Sequence, residues 1–179
     1  MPATYRRNVP TRSPNILYTS PSDPRAAPLV AELSREYDER YGLHDGVPSS
    51  VELSRYPAER FQPSDGGTFL LLVEAGRAVA GGAFMRAEAG TVEIKRVWAH
   101  SRHRRRGLAR RVMAELEAEA GRRGIRSIML TTGPRQPEAV ALYLALGYEA
   151  QFDVDADWES IGSLEFRKQL PAGTGQSAR

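Results

Sequence analysis

The sequence predicts a mixed α/β domain of the α+β kind, and three observations predict it. Between residues 68 and 99 the chain reads as short apolar runs separated by turn-forming residues, the pattern of an antiparallel meander. An amphipathic stretch over 107–121 then separates the last of these runs from another apolar run at 125–131, so a strand–helix–strand crossover follows the meander. A second helical stretch from Pro137 and two further strand-like segments complete the pattern. Chain chirality makes such a crossover right-handed and its two strands parallel. The expected sheet is mostly antiparallel, holds one parallel pair and is flanked by helices.

Each element has its own warrant. Residues 1–15 are polar and carry Pro2, Pro10 and Pro14, so a flexible arm is expected there, followed by a single domain over 16–170 and a disordered tail over 171–179. A first strand is placed near 16–19. A helix begins about Pro28, with Leu29, Val30, Leu33, Tyr37 and Tyr41 on one face, and ends at Gly42. Residues 43–66 are irregular, with a short helix near 50–56. Residues 68–74 and 78–86 form a hairpin about Ala75-Gly76-Arg77, and Gly81-Gly82 marks a bulge or a close backbone approach. In the strand over 91–99, strict alternation puts Val92, Ile94, Arg96 and Trp98 on one face and Glu93, Lys95 and Val97 on the other, unless a bulge shifts the phase. In the helix over 107–121, Leu108, Val112 and Leu116 recur every four residues, Met113 and Ala120 widen the stripe, and Gly121 and Gly124 close it. The run at 125–131 is apolar enough to be buried on both sides. Pro137 starts a helix whose inward stripe is Ala139, Leu142, Tyr143 and Leu146, with Gly147 as its stop. A strand from Tyr148, a loop bearing Asp153, Asp155, Asp157 and Trp158, and a strand over 161–169 finish the domain.

Composition excludes several function classes. At 179 residues with 41% apolar and 26% charged side chains, the chain has the makeup of one globular domain rather than of a disordered one. The absence of cysteine removes disulfides, thiolate metal sites and Cys nucleophiles. His100 and His103 stand three apart without a close acidic partner in sequence, so they read as turn or surface residues and no metal site is expected. No stretch approaches the roughly 20 apolar residues that span a bilayer, and Arg6 and Arg7 lead into no apolar segment. The expectation is a soluble cytoplasmic protein without a membrane partner.

The formal charge of +3 is small, but six arginines fall within residues 102–111. There a strand ends, an arginine-crowded turn follows, and a helix begins with Gly107 and Ala109. The first turn of a helix leaves N–H groups unpaired and carries partial positive charge, which suits phosphate. Gly107 lets a bulky anion approach the backbone, and Arg104, Arg105 and Arg106 add charge-assisted hydrogen bonds. An anion site for a phosphorylated cofactor is expected. Neither Gly-x-Gly-x-x-Gly after a strand nor Gly-x-x-x-x-Gly-Lys-Ser/Thr is present. A nucleic-acid role is disfavoured because the arginines are confined to one turn and no aromatic platform is interleaved with them.

Arg104-Arg105-Arg106-Gly107-Leu108-Ala109 resembles the cofactor turn Arg/Gln-x-x-Gly-x-Gly/Ala of the GNAT (Gcn5-related N-acetyltransferase) family. Glu93-Ile94-Lys95-Arg96-Val97-Trp98-Ala99 looks like the family's preceding strand. Thr131-Thr132-Gly133 and Ala139-x-x-Leu142-Tyr143-x-x-x-x-Gly147-Tyr148 look like its following strand and helix. The likeness covers about residues 68–150; where many relatives carry Asn before the last helix, this chain has Gln136-Pro137. The resemblance implies that the fourth and fifth strands, 91–99 and 125–131, splay at their C-terminal ends and hold acetyl-CoA between them. Backbone around Val97, Trp98 and Ala99 would meet the pantetheine arm, and N–H groups from Arg104 to Ala109, Leu108 included, the pyrophosphate. It also implies direct acetyl transfer to a primary amine, with Glu93 as general base, alone or through water, and Tyr143 as general acid. Read from the residues alone, Glu93 is equally a partner of Lys95 or Arg96, and Tyr143 a core aromatic. Arg96 and Trp98 are candidates to border the acceptor pocket, with core the preferred reading for Trp98; Tyr37, Tyr41, Glu52 and Tyr56 fall where relatives build one wall of the acceptor site, with the buried helix stripe preferred for Tyr37 and Tyr41. A small-molecule amine is the expected acceptor, a protein amine the second reading, and a non-catalytic acyl-CoA sensor the rival; a homodimer is compatible with each.

Overall fold

The computed structural model describes residues 13–171, so the expected N-terminal arm and C-terminal tail lie almost wholly outside the described residues. Strand β1 (Asn15–Tyr18) leads through a 3₁₀ turn over Pro24–Ala26 into α1 (Ala27–Tyr41); the Asp23 carboxylate caps the turn by accepting the Arg25 N–H. A small hairpin of β2 (Leu43–His44) and β3 (Val47–Pro48) follows. Three short 3₁₀ segments then occupy Ser49–Ser54, Ala58–Phe61 and Pro63–Asp65. The meander is β4 (Thr68–Glu74), β5 (Arg77–Arg86) and β6 (Thr91–Ala99). The crossover runs through α2 (Leu108–Arg122) to β7 (Ser127–Thr132). Helix α3 (Pro137–Ala145), β8 (Glu149–Ala150), α4 (Trp158–Ile161) and β9 (Leu164–Gln169) complete the chain.

Seven strands form one sheet in the order β1-β4-β5-β6-β7-β9-β8. Every pairing is antiparallel except that of β6 with β7. This is the expected mixed α/β architecture with one parallel pair. The core lies on both faces. Period-two alternation sends Leu70 and Leu72 of β4 to the face covered by α2 and α3, and Phe69 and Leu71 to the face covered by α1. The α2 stripe of Leu108, Val112, Met113, Leu116 and Ala120 is buried throughout.

Three expectations are corrected. Val30 is not on the buried face of α1: it is 39% exposed while Leu29 and Leu33 are buried. One residue is about 100° of helix rotation, and the narrow stripe Leu29–Leu33–Tyr37 suffices to cover the sheet. In α3 the most buried side chains are Val140 and Tyr143, with Ala139, Leu142 and Leu146 packed at the margin. The segment containing Trp158 closes into the short helix α4, capped by Asp157, rather than remaining a loop.

The bulge foreshadowed by Gly81-Gly82 sits on the opposite strand. Gly81 pairs with Trp98 and Ala83 with Lys95, so Arg96 and Val97 together oppose Gly82. Arg96 takes φ +58 to accommodate the extra residue. The phase of β6 therefore reverses midway: Val92 and Ile94 face α2 and α3, while Trp98 faces α1. Gly82 is needed for a different reason. A Cβ there would lie 2.7 Å from Val112 Cγ1 and 3.2 Å from Leu116 Cδ1, at the contact between β5 and α2. Val112 is β-branched and fully buried, so it has little rotamer freedom with which to yield. Gly82→Ala is expected to overpack this contact and cost about 1–3 kcal/mol, read as a lower thermal midpoint; an unchanged midpoint would show that α2 can shift outward freely.

Candidate active site

Parallel pairing of β6 with β7 runs from Thr91–Ser127 to Ile94–Leu130 and stops there. Beyond that point β6 stays with β5 up to Ala99, and β7 stays with β9 up to Thr132. The two strands part at their C-terminal ends, and a cavity of about 1190 Å³ opens along the parting. Ligands of parallel strands ordinarily sit beyond such carboxyl ends. The walls come from α1, the 3₁₀ segment Ser49–Ser54, β6 and the turn after it, the end of β7, and α3.

The turn after β6 is built to present backbone N–H groups. Residues Ser101–His103 form one 3₁₀ turn, and positive φ at Arg105 (+62) and Gly107 (+70) then curls the chain into α2. Gly107 is the N-cap of α2, and no side chain bonds across it, so the helix's first N–H groups lack a capping partner. A Cβ at Gly107 would meet nothing within 4 Å, leaving the helix start open to a bulky group. Arg104, Arg105, Gly107, Leu108 and Ala109 all line the cavity. Arg104 lies 3.6 Å from Glu36 of α1. The Arg106 side chain is placed differently. Its guanidinium forms a two-pronged pair with Glu74 at 2.8 and 2.9 Å and meets His103 Nδ1 at 2.8 Å, bracing the turn against the end of β4.

Val97, Trp98 and Ala99 border the cavity on β6. The Trp98 indole is 3% exposed and packs under α1, leaving backbone as its means of meeting a ligand. Its Nε1–H donates to Glu32 Oε2 at 3.0 Å, and the same carboxylate accepts the Ser101 N–H at 3.0 Å and the Ser101 hydroxyl at 2.8 Å. His100 Nδ1 lies 3.4 Å from Glu32 Oε1. Partial burial pushes the Glu32 carboxyl up, and the bonds from Ser101 and Trp98 outweigh it and hold the group below its ordinary value. Glu32 escaped sequence reasoning because its partners lie 66 and 69 residues away.

Glu93 and Tyr143 both line the cavity, from β6 and α3. Glu93 Oε1 is 2.8 Å from Lys95 Nζ, and Lys95 in turn sits 5.2 Å above the Tyr56 ring. Tyr143 is 7% exposed and packs against the Tyr148 and Phe166 rings, at 6.0 and 5.5 Å between centroids. It belongs to the core stripe and to the cavity wall at once. Burial pushes its hydroxyl well above the ordinary tyrosine value, so it stays protonated. Gln136, at the start of α3, accepts the Thr132 hydroxyl at 2.6 Å and also lines the cavity.

A polar strap joins α1 to α3 across one end of this space. Arg40 reaches Glu138 and the Arg135 carbonyl, and Arg135 Nη1 donates back to the Arg40 carbonyl at 2.8 Å. Tyr41 completes the strap by accepting the Arg135 N–H at 3.3 Å. The Tyr41 hydroxyl occupies the place where a Cβ on Gly133 would stand.

Among the described residues no group of three or more His, Asp or Glu converges as a metal site, and no helix is long and apolar enough to cross a membrane. Comparison with known proteins agrees with the geometry. A search of curated proteins returns no match. Among solved structures, one described as an acyl-CoA N-acyltransferase from Klebsiella pneumoniae is 28% identical, with a TM-score of 0.67 over 88% of this chain and 98% of that one. An acetyltransferase from Salmonella typhimurium with its cofactor acetyl-CoA is 20% identical, with a TM-score of 0.63 over 94% and 100%. A GNAT-superfamily phosphinothricin acetyltransferase from Sinorhizobium meliloti in complex with acetyl-CoA is 17% identical, with a TM-score of 0.62 over 94% of each chain. The model of the acetyltransferase (GNAT) family matches residues 30–148, from α1 through the splayed strands to the end of α3, and the chain belongs to that family.

Proposed function

We propose that the protein transfers an acetyl group from acetyl-CoA directly to a primary amine on a small-molecule acceptor. One observation carries this reading: the uncapped start of α2 opens into the same cavity as Glu93 and Tyr143. That cavity can therefore seat a phosphorylated donor beside two groups capable of proton transfer. Family membership supports acyl transfer, and the Salmonella and Sinorhizobium structures contain acetyl-CoA on the same fold.

The residues present fit the donor. The N–H groups of Leu108 and Ala109, with Arg104 and Arg105 beside them, suit a pyrophosphate. The edge of β6 left without β7 beyond Ile94 offers backbone groups to the amides of an extended pantetheine arm. In the reaction the amine nitrogen forms a bond to the thioester carbon, and the carbon–sulfur bond breaks. Glu93 takes the proton that the attacking amine loses, directly or through a water. Tyr143 holds a proton that its burial makes hard to lose spontaneously, and delivers it to the departing thiolate. The chain has no cysteine with which to form an acyl-enzyme thioester, which agrees with the direct route.

Gly107→Asp is expected to abolish acetyl-CoA binding measured by calorimetry, because it sets a negative charge against the phosphates. Gly107→Asn, which tolerates positive φ and adds no charge, is expected to weaken binding less than Gly107→Asp does. Unchanged affinity in the Asp variant would refute the phosphate site. Tyr143→Phe is expected to lower kcat by roughly 10²-fold, the lower end for general acid catalysis, with acetyl-CoA affinity retained. Undiminished turnover would remove Tyr143 from proton delivery. The reading as a whole is checked by CoA release over a panel of amines, where binding of acetyl-CoA without turnover on any amine would favour a sensor.

A further inference from the structure

On the wall of the cavity one guanidinium, that of Arg96, has no ion-pair partner among the described residues. Away from the phosphate turn, the cavity walls carry Arg40, Arg55, Lys95 and Arg96 against Glu36, Glu52, Glu93 and Glu138, and Arg40 is held by Glu36 and Glu138. Two pairs close among themselves: Glu93 with Lys95 at 2.8 Å, and Glu52 with Arg55 at 3.4 Å. Arg96 is left over. Its Nη2 donates to the Leu53 carbonyl at 2.5 Å, and its guanidinium lies 4.4 Å over the Phe61 ring. Among the described residues it pairs with no carboxylate.

This position is costly. Guanidinium groups withdrawn from water are ordinarily paired with an anion. Here burial holds Arg96 below the ordinary arginine value, and the only charged form that would ease it is a Tyr37 phenolate. Burial in turn pushes Tyr37 up to about 12, so Tyr37 stays neutral and supplies no counter-charge. The backbone adds to the expense, since Arg96 is the residue with φ +58 at the bulge. A guanidinium has five N–H donors; the carbonyl and the ring engage one donor and one face, leaving a fork of the shape that binds carboxylate in a bidentate way.

We propose that Arg96 receives a carboxylate carried by the acceptor, so that the acceptors are amino carboxylic acids. This rests on the amine-acetylation reading above and names its substrate class. The charges then balance: the attacking amine is neutral, one carboxylate neutralises one guanidinium, and the two internal pairs remain intact. A simple amine leaves the half-buried positive charge without an ionic partner. A phosphate monoester brings more negative charge than the wall can match.

The test compares amino acids with their own amides as acceptors, reading kcat/KM from CoA release at saturating acetyl-CoA. The amide keeps the skeleton and the amine and removes only the negative charge. Its amine is also the less basic, so intrinsic availability of the free base favours the amide, and preference for the acid must come from the protein. The wild-type protein is expected to favour the amino acid by about 10–100-fold, the worth of a charge-assisted bond. Arg96→Gln is expected to bring that ratio to within about threefold, chiefly through KM for the acid. Arg96→Lys, a point charge without the fork, is expected to fall between them. Equal or better turnover of the amides by the wild-type protein overturns the carboxylate assignment while leaving amine acetylation standing. Acetyl-CoA binding with no turnover on either arm overturns both. An undiminished preference for the acid in Arg96→Gln overturns the assignment to Arg96, and should that variant fold poorly, Arg96→Lys carries the same test while the wild-type ratio still decides the acceptor class.

Discussion

One extra residue in β6 organises everything around the cavity. Without the bulge at Arg96, strict alternation would carry Trp98 to the α2 face and Val97 to the α1 face. With it, the first half of β6 builds the α2 and α3 core, and the second half turns its large side chain under α1. The parallel ladder with β7 ends at Ile94, immediately before this reversal. The parting of the two strands, the emergence of Arg96 toward Phe61, and the anchoring of Trp98 by Glu32 all follow from the same local change of phase. Gly82 lets it happen within a well-packed sheet, because α2 can then press directly onto the strand opposite the bulge.

The cavity is held by two carboxylates that do different work from Glu93. Glu32 gathers the end of β6 and the beginning of the arginine turn onto α1 through Trp98 and Ser101. Glu74 fastens the other side of that turn through Arg106. The turn proposed to offer its N–H groups to an anion is thus clamped from both sides, and its arginines divide into two kinds. Arg104 and Arg105 face the cavity, while Arg106 is committed to the scaffold. Preorganised donors of this sort favour an anion because no ordering cost remains at the moment of binding.

Much of this was legible from the chain alone, wherever the information is local. The α2 stripe repeats every four residues and is buried as its spacing implies, and Gly107 stands at the helix start that the composition of the turn announces. The hairpin of β4 and β5 and the parallel crossover follow from turn residues and chirality. What could not be read is non-local. The Arg96–Leu53 bond spans 43 residues, the Trp98–Glu32 bond 66, and the Arg40–Glu138 contact 98. No periodicity records such pairings. The two glycines at 81 and 82 showed that something unusual lay nearby, yet the extra residue belongs to the neighbouring strand. Arg106 likewise looked identical to Arg104 and Arg105, because Glu74 is distant in sequence.

The strap across α1 and α3 has a consequence for how this sequence can drift. Gly133 and Tyr41 share one volume: the phenol oxygen of Tyr41 occupies the place that any side chain at 133 would need. Position 133 cannot gain a side chain while the tyrosine keeps its place. A lineage that gains even a methyl group at 133 must first shed or displace the tyrosine, and with it the bond to the Arg135 N–H. One that loses the tyrosine leaves a gap beside a glycine that then has no reason to remain glycine. A side chain at 133 should therefore appear only where position 41 has already changed or its ring has moved.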